Sequence, residues 1–553
     1  MPRIRFSLAL LTAICSACAP SVAGTPAARP AAASTSTATQ ATPRMFDVRV
    51  YGARGDSVTI ETDAINRAID AASAAGGGTV YFPAGVYSSF SIHLRSNVSL
   101  YLEQGATLLA ASPSEAAGGY DPAEPGPGNE YQDFGHSHWH NSLMWGENVE
   151  NITIQGQGLI NGAGLNRSQS RASPRTGNKA IALKLARNIT IRDIAILNGG
   201  HFALLATGVD NLTIDNVRID TNRDGLDIDA CRNVRISNVS VNSPNDDAIV
   251  LKSSYALGFA RATENVTITN SLVSGYDVGT LLDGTYLRTV TAAPDRDGPT
   301  GRIKFGTESN GGFKNITISN VVFDRSRGLA LETVDGGLIE DVTINNITMR
   351  EVSNAPIFLR IGSRMRGPEG IPVGAIRRVN ISNVVVYDAD PRYASIISGI
   401  PGHPIEDVKL SDIRILYRGG ITMEQVAQQP ADIVNTFFFR GEGGIPPREP
   451  FATPEREDQY PEPSMFGLLP AYGFFIRHAS GIELDNVSVG FMREDGRPAF
   501  VIEDVDGIEF RGVKAQKVDG VPTFVLMDVE NFRTLHSDPV ADLRLERVER
   551  REF

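Results

Sequence analysis

Cysteine is almost absent from this chain. Of three in 553 residues, Cys15 and Cys18 sit in the first 18, so residues 44–553 hold only Cys231 and no internal disulfide is open to them. The one remaining thiol reads as a small buried hydrophobe. Tryptophan is limited to Trp139 and Trp145. The apolar run Phe6–Ile14 is too short to span a bilayer as a mature helix. Basic charge is in deficit, 52 Lys and Arg against 64 Asp and Glu, a net of −12. Residues 1–43 carry Arg3, Arg5 and Arg29 and no acid, so the rest stands at −15. A mildly acidic surface of mixed sign excludes general nucleic-acid binding, and an acidic polysaccharide would need a local basic patch. There is no P-loop, dinucleotide fingerprint, serine elbow or zinc-protease helix.

What is present divides into three parts. Residues 1–18 read as an export signal, with Arg3 and Arg5 ahead of the apolar core. Cleavage before Cys18 would resemble a bacterial lipoprotein signal, although Cys15 stands where Leu is usual. Membrane contact is expected only through such a lipid. The expected location is periplasmic, secreted or lipid-anchored to an outer membrane. Residues 19–43 are nearly all Ala, Ser, Thr and Pro and read as a disordered tether. Residues 44–553 lack a second linker and read as a single, monomeric domain.

A repeated phrase organises that domain: Asn or Asp, an aliphatic, a variable residue, an aliphatic. It starts at Asn151, Asn188, Asn211, Asn233, Asn265, Asn315 and Asp341, with weaker copies at Arg378, Asp407, Gly481 and Gly507. Most intervals are 22 to 37 residues. Short alternating strands at such a period indicate a solenoid or propeller. The absence of hairpin signals within each unit favours three stacked parallel strands per turn. The expected class is therefore all-β, a right-handed parallel β-helix, with Asn at corners that tolerate left-handed backbone. A first coil needs a cap, and Thr62 to Ala75 supplies a helical pattern, with Thr62 as N-cap and Gly76-Gly77-Gly78 as stop. Insertions are expected near 253–300 and 419–470, the second a wall of a substrate groove or a solvated excursion.

Two motifs carry the chemistry. Asn222-Arg223-Asp224-Gly225-Leu226-Asp227 and Asn245-Asp246-Asp247-Ala248 lie one coil apart, which brings Asp224 beside Asp246 and Asp247. Clustered carboxylates raise one another's pKa, and a raised and an unraised carboxyl make the acid and base of glycoside hydrolysis. The alternative is that they only cap turns. With the opening Asp47–Asp56 and Gly76–Gly85, these motifs resemble the polygalacturonase family, glycoside hydrolase family 28, which has Asn-Thr-Asp-Gly-x-Asp and Gly-Asp-Asp-Cys at these places. The resemblance implies an inverting, metal-free and cofactor-free hydrolase of pectic polysaccharide or its oligosaccharides. It implies Asp246 as general acid, with Asp224 and Asp247 holding and deprotonating the water. A lyase or epimerase on the same fold, and a non-catalytic carbohydrate-binding β-helix, are the alternatives. Subsites blocked by the two insertions would favour chain-end cleavage.

The family's Gly-His-Gly and Arg-Ile-Lys motifs are altered here. Arg302-Ile303-Lys304 matches the second as a tripeptide. The surrounding text instead places Gly301 at the family's His, and Ala330 and Glu332 at its Arg and Lys. The repeat phrasing favours this second register. Substrate contacts are expected from Arg302, Lys304, Glu332, His201 and His140; a solvated edge or a bridge to Glu308 is the alternative for Arg302 and Lys304. His136, His138 and His140 share a face if extended, and with Trp139 and Trp145 suggest a sugar-stacking surface.

Overall fold

The computed structural model describes residues 44–125, 129–133, 135–167, 175–439 and 445–553. The export signal and the tether fall outside them. Residues 43–553 form one compact unit.

The unit is a parallel β-helix. Strands of successive turns pair in parallel, as in Arg187–Arg192 with Glu150–Gly156 on one side and Asp210–Asp215 on the other. One interior column runs from Ile152 through Ile189, Leu212, Val234, Val266 and Ile316 to Ile508 and Phe532, every pair in register. These side chains are at most 1% exposed. Each fully buried aliphatic stabilises by roughly 1.5–3 kcal/mol before conformational entropy is charged against it.

The repeat's Asn residues make the corner. Asn151, Asn188, Asn211, Asn233, Asn265 and Asn315 all have φ between 56° and 58°. Each donates from Nδ2 to the Oδ1 of the Asn one coil before, at 2.7–3.2 Å. Asn is among the few non-glycine residues that adopt this backbone cheaply. Asp341 and the weaker copies Arg378, Asp407, Gly481 and Gly507 keep the geometry without the Asn–Asn ladder, with φ of 52° to 77°.

Helix α1 (Thr62–Ala74) closes the first turn with Ala64, Ile65, Ala68, Ile69 and Ala72 buried. Thr62 is not its N-cap. Glu61 stands there without a side-chain cap, and Thr62 Oγ1 accepts from the Phe90 amide at 2.8 Å, tying helix to sheet. At the other end Leu543–Glu552 pairs antiparallel with Phe524–Leu535, and Phe553 stacks on Phe524 at 5.3 Å.

The first insertion is smaller than the sequence suggests, and the second has nearly the expected bounds. Thr263–Ser274 is a full coil strand paired with Phe313–Asp324, so the first insertion is confined to 275–302. Ile405–Gly419 likewise belongs to the helix, and the second excursion runs 420–473. Four consecutive strands of one face position the site: β1 (Asp224–Asp229), β2 (Ile249–Lys252), β3 (Ile303–Phe305) and β4 (Leu329–Thr333).

Candidate active site

Asp224 opens β1, and Asp246 and Asp247 lie in the turn leading into β2. On a regular strand two adjacent side chains face opposite ways. Here the turn holds both otherwise: the Asp246 carbonyl accepts from Gly301 N at 2.9 Å and its Oδ1 accepts from Asp247 N at 3.1 Å. Gly225 N donates to the Asp247 carbonyl at 3.0 Å. A Cβ on Gly225 would meet the Ala248 carbonyl and Val241 at 2.4 Å, so only glycine lets the two acidic coils close this far. Oxygens of Asp224, Asp246 and Asp247 all lie within 4.8 Å of one another.

The three acids line a cavity of about 510 Å³. Its walls come from both insertions: Pro294, Asp295 and Thr300 from the first, and Phe437, Phe438, Gln459, Tyr460 and Glu462 from the second. The second excursion is thus a wall and not a solvated detour. Phe438 and Tyr460 stack at 5.0 Å with an interplanar angle of 7°.

Each acid has a different electrostatic setting. Burial, then the charge of Asp246, pushes Asp224 well above the usual carboxylate range. Burial alone would also raise Asp247, but Lys304 and Arg302 overcome it and hold it at about 2. Arg302 Nε donates to Asp247 Oδ1 at 2.8 Å and Lys304 Nζ lies 3.5 Å from Oδ2. Asp246 is the most exposed of the three, at 24%, and pairs with Arg223. At neutral pH the cluster therefore keeps Asp247 ionised, while burial and its acidic neighbours favour the protonated form of Asp224.

The coil after Asp246 carries Arg302 and Lys304, with Lys304 stacked between Val250 and Ala330. Neither sits on a solvated edge, since they are 3% and 2% exposed, and neither bridges to Glu308. Glu308 pairs instead with Lys252 at 3.3 Å and Arg366 at 2.9 Å. Lys304 also lies 3.6 Å from Glu332 and donates to the Tyr460 hydroxyl at 3.0 Å.

Three expected contacts are placed elsewhere. Glu332 is fully buried under Lys304 and does not line the cavity; burial raises it to about 7. His201 is fully buried, with Nδ1 3.4 Å from the Arg167 carbonyl. His140 stacks on Trp145 at 3.8 Å and bonds Glu147 at 3.0 Å, away from the cavity lining. The three histidines do not share a strand face, because residues 135–142 are turns and bends. Only His136 lines the cavity, against Lys252, and burial with that neighbour lowers it to about 4. Trp139 is fully buried and donates to Thr207 at 3.1 Å, so it offers no stacking face to a sugar. The aromatic wall comes from Phe437, Phe438 and Tyr460 instead.

His136, Asp224 and Asp227 also bring ligand atoms within 4.8 Å. Lys252 lies 3.2 Å from Asp227 and supplies the positive charge there, as Arg302 and Lys304 do for Asp247, so both acid groups are balanced by the protein's own cations. The sequence reading missed Arg223, Arg327, Tyr460 and Glu462. Arg223 lay inside the first motif. Glu462, between Pro461 and Pro463, lay in the second excursion, whose richness in Pro, Glu and Gly singled out no one residue.

The family described as Glycosyl hydrolases family 28 matches residues 128–280, and Rhamnogalacturonase A/epimerase, pectate lyase-like, matches 45–195. A "Probable polygalacturonase" of Vitis vinifera is 24% identical over 390 residues, 66% of this chain and 73% of that protein. The "Exo-poly-alpha-D-galacturonosidase" of Dickeya chrysanthemi is 31% identical over 228 residues, 39% of this chain and 35% of that protein. Among solved structures, the family 28 exopolygalacturonase of Yersinia enterocolitica superposes with a TM-score of 0.56 at 16% identity, covering 89% of this chain and 78% of that one.

Proposed function

We propose that the chain, a polygalacturonase-like hydrolase, acts as a member of glycoside hydrolase family 28 and removes sugars from the ends of pectic chains with inversion at the anomeric carbon. The observation that carries the reading is the trio Asp224, Asp246 and Asp247 gathered in one walled cavity. A cavity of about 510 Å³ falls in the range of small-ligand sites, ~300–1,000 Å³, and is not an open groove. Side chains of both insertions wall the cavity, which supports chain-end action.

In this scheme Asp247 stays an anion at working pH, orients the water and takes its proton as the water oxygen bonds to the anomeric carbon and the glycosidic bond breaks. The Asp224–Asp246 pair supplies the proton to the glycosidic oxygen. Asp246, the more exposed member, is the one that reaches the leaving group. Its pairing with Arg223 must be given up for the acid to reach the glycosidic oxygen. General acid catalysis of this kind contributes about 10²–10⁴-fold.

A retaining displacement is the second reading, favoured by one distance. Inverting carboxyl pairs usually stand ~6.5–9.5 Å apart and retaining pairs ~5–5.5 Å, and the nearest oxygens here are within 4.8 Å. Against it, the acid best placed as nucleophile, Asp247, is quenched by Arg302 and Lys304. NMR of the first-formed product from pectic oligosaccharides tests both claims. Inverted single-sugar products are expected. A retained anomer overturns inversion, and a mixture of mid-chain fragments overturns chain-end action. Export ahead of this activity is part of the proposal, checked by cell fractionation of wild type and Cys18→Ala.

A further inference from the structure

Glu462 reaches the cavity from the second excursion and is 1% exposed. Its Oε2 accepts from Arg302 Nη2 at 2.9 Å, and its Oε1 accepts from Arg302 Nη1 at 3.3 Å, Arg327 Nη1 at 3.0 Å and Asn354 Nδ2 at 3.0 Å. This is the two-pronged guanidinium grip by which proteins recognise a carboxylate. Here the carboxylate gripped is the chain's own.

Other donors of that wall are turned to acids as well. Arg302 Nε goes to Asp247, and Arg327 Nη2 goes to Asp295 at 2.7 Å. Lys304 is shared by Asp247, Glu332 and Tyr460. Seven basic and seven acidic side chains line the whole cavity, and every one of the seven bases is paired with an acid. A sugar carboxylate brought against Arg302 and Arg327 would find their positive charge already paired with Glu462, Asp247 and Asp295, and would face Glu462 at close range. Like charges so placed cost several kcal/mol.

We propose that Glu462 is a specificity determinant: it fills the guanidinium pair Arg302–Arg327 and makes the cavity select, beside Asp247, a sugar ring that carries no free carboxylate. The ring's hydroxyls meet Glu462, Lys304 and Tyr460, and its apolar face meets Phe438. This inference deepens the hydrolase reading and rests on it for the site it describes.

Binding is the decisive measurement, because it needs no turnover. Calorimetry with digalacturonate and with its fully methyl-esterified form, identical but for the carboxylates, compares the two chemistries in one protein. Wild type is expected to bind the ester tighter by about tenfold or more. Glu462→Gln keeps the shape, releases the arginine pair and is expected to move that ratio about tenfold toward the free acid. Glu462→Asp, which keeps the charge, is expected to leave the preference for the ester. A ratio is insensitive to a general loosening of the site. The inference is overturned if wild type binds the free acid as well as the ester, if neither binds, or if Glu462→Gln leaves the ratio unmoved. The wild-type arm decides alone should a variant fail to fold. Failure of the hydrolase reading shows differently, as a bound sugar that is never cleaved.

Discussion

Arg302 is the residue on which the cavity turns, because one guanidinium holds both the pinned acid Asp247 and the wall acid Glu462. Arg302→Ala removes a main cause of the low Asp247 pKa, which then rises from about 2. The acid limb of the kcat/KM profile is expected to move to higher pH, with kcat down by about a hundredfold or more. A profile unchanged in shape would separate Arg302 from Asp247. Glu332 makes a second case at this scale. Its folded pKa of about 7 lies above the unfolded value of ~4.3, so its contribution to stability is full below that value and lost as pH rises through 7. Asp227, at about 7, and Asp229, at about 6, act in the same direction. Wild type should therefore lose Tm between about pH 4.5 and 7, and Glu332→Gln should lose less over the same interval. Parallel melting curves for the two proteins would sink this assignment.

A coil is held by its corners as much as by its core. Asn211 combines a φ of 58° with ladder bonds to Asn188 at 2.9 Å and from Asn233 at 3.2 Å. Asn211→Ala forfeits both bonds and forces a Cβ-bearing residue without a compensating side chain into left-handed backbone. The expected cost is about 2–3 kcal/mol. Asn211→Gly keeps the backbone and loses only the bonds, about 1 kcal/mol. Thermal melts of the two variants should rank wild type, Gly, Ala, and an Ala variant above Gly would refute the corner argument. The site strands were less legible than the corners. β1 to β4 are buried on both faces, so an alternation such as Leu226, Asp227, Ile228, Asp229 tells which way a side chain points and not what it meets. Asp224, Asp246 and Asp247 stood out because acids beside Gly and Asn are rare in such strands. Glu332 and His201 looked similar in sequence, yet each is covered by neighbouring coils.

At the scale of the whole molecule the β-helix is an open stack with two ends to close. The antiparallel strand Leu543–Glu552 covers the edge of Phe524–Leu535, and Phe553 covers the Phe524 ring. Removing residues 541–553 bares a paired-strand edge and apolar rings, and self-association is the expected outcome. Size-exclusion chromatography reads it directly, and a monomeric truncation product would argue against an edge-closing role. The same architecture explains how the cavity is built. A β-helix face is a nearly flat wall, and only chain that leaves the coil can enclose a ligand. Both excursions, 275–302 and 420–473, do so over the same four strands.

Sequence by itself determined the solenoid, its corner residues, the capping helix and the acid trio, because each is a local pattern repeated or bounded within a few residues. Tertiary structure alone decided what surrounds the trio. Asp247 and Glu462 are 215 positions apart and meet through Arg302. A pairing of that kind depends on the register of coils and the return path of a long excursion. Neither leaves a periodic trace in the chain, and the balance of charge that sets which sugar fits is a property of the closed cavity.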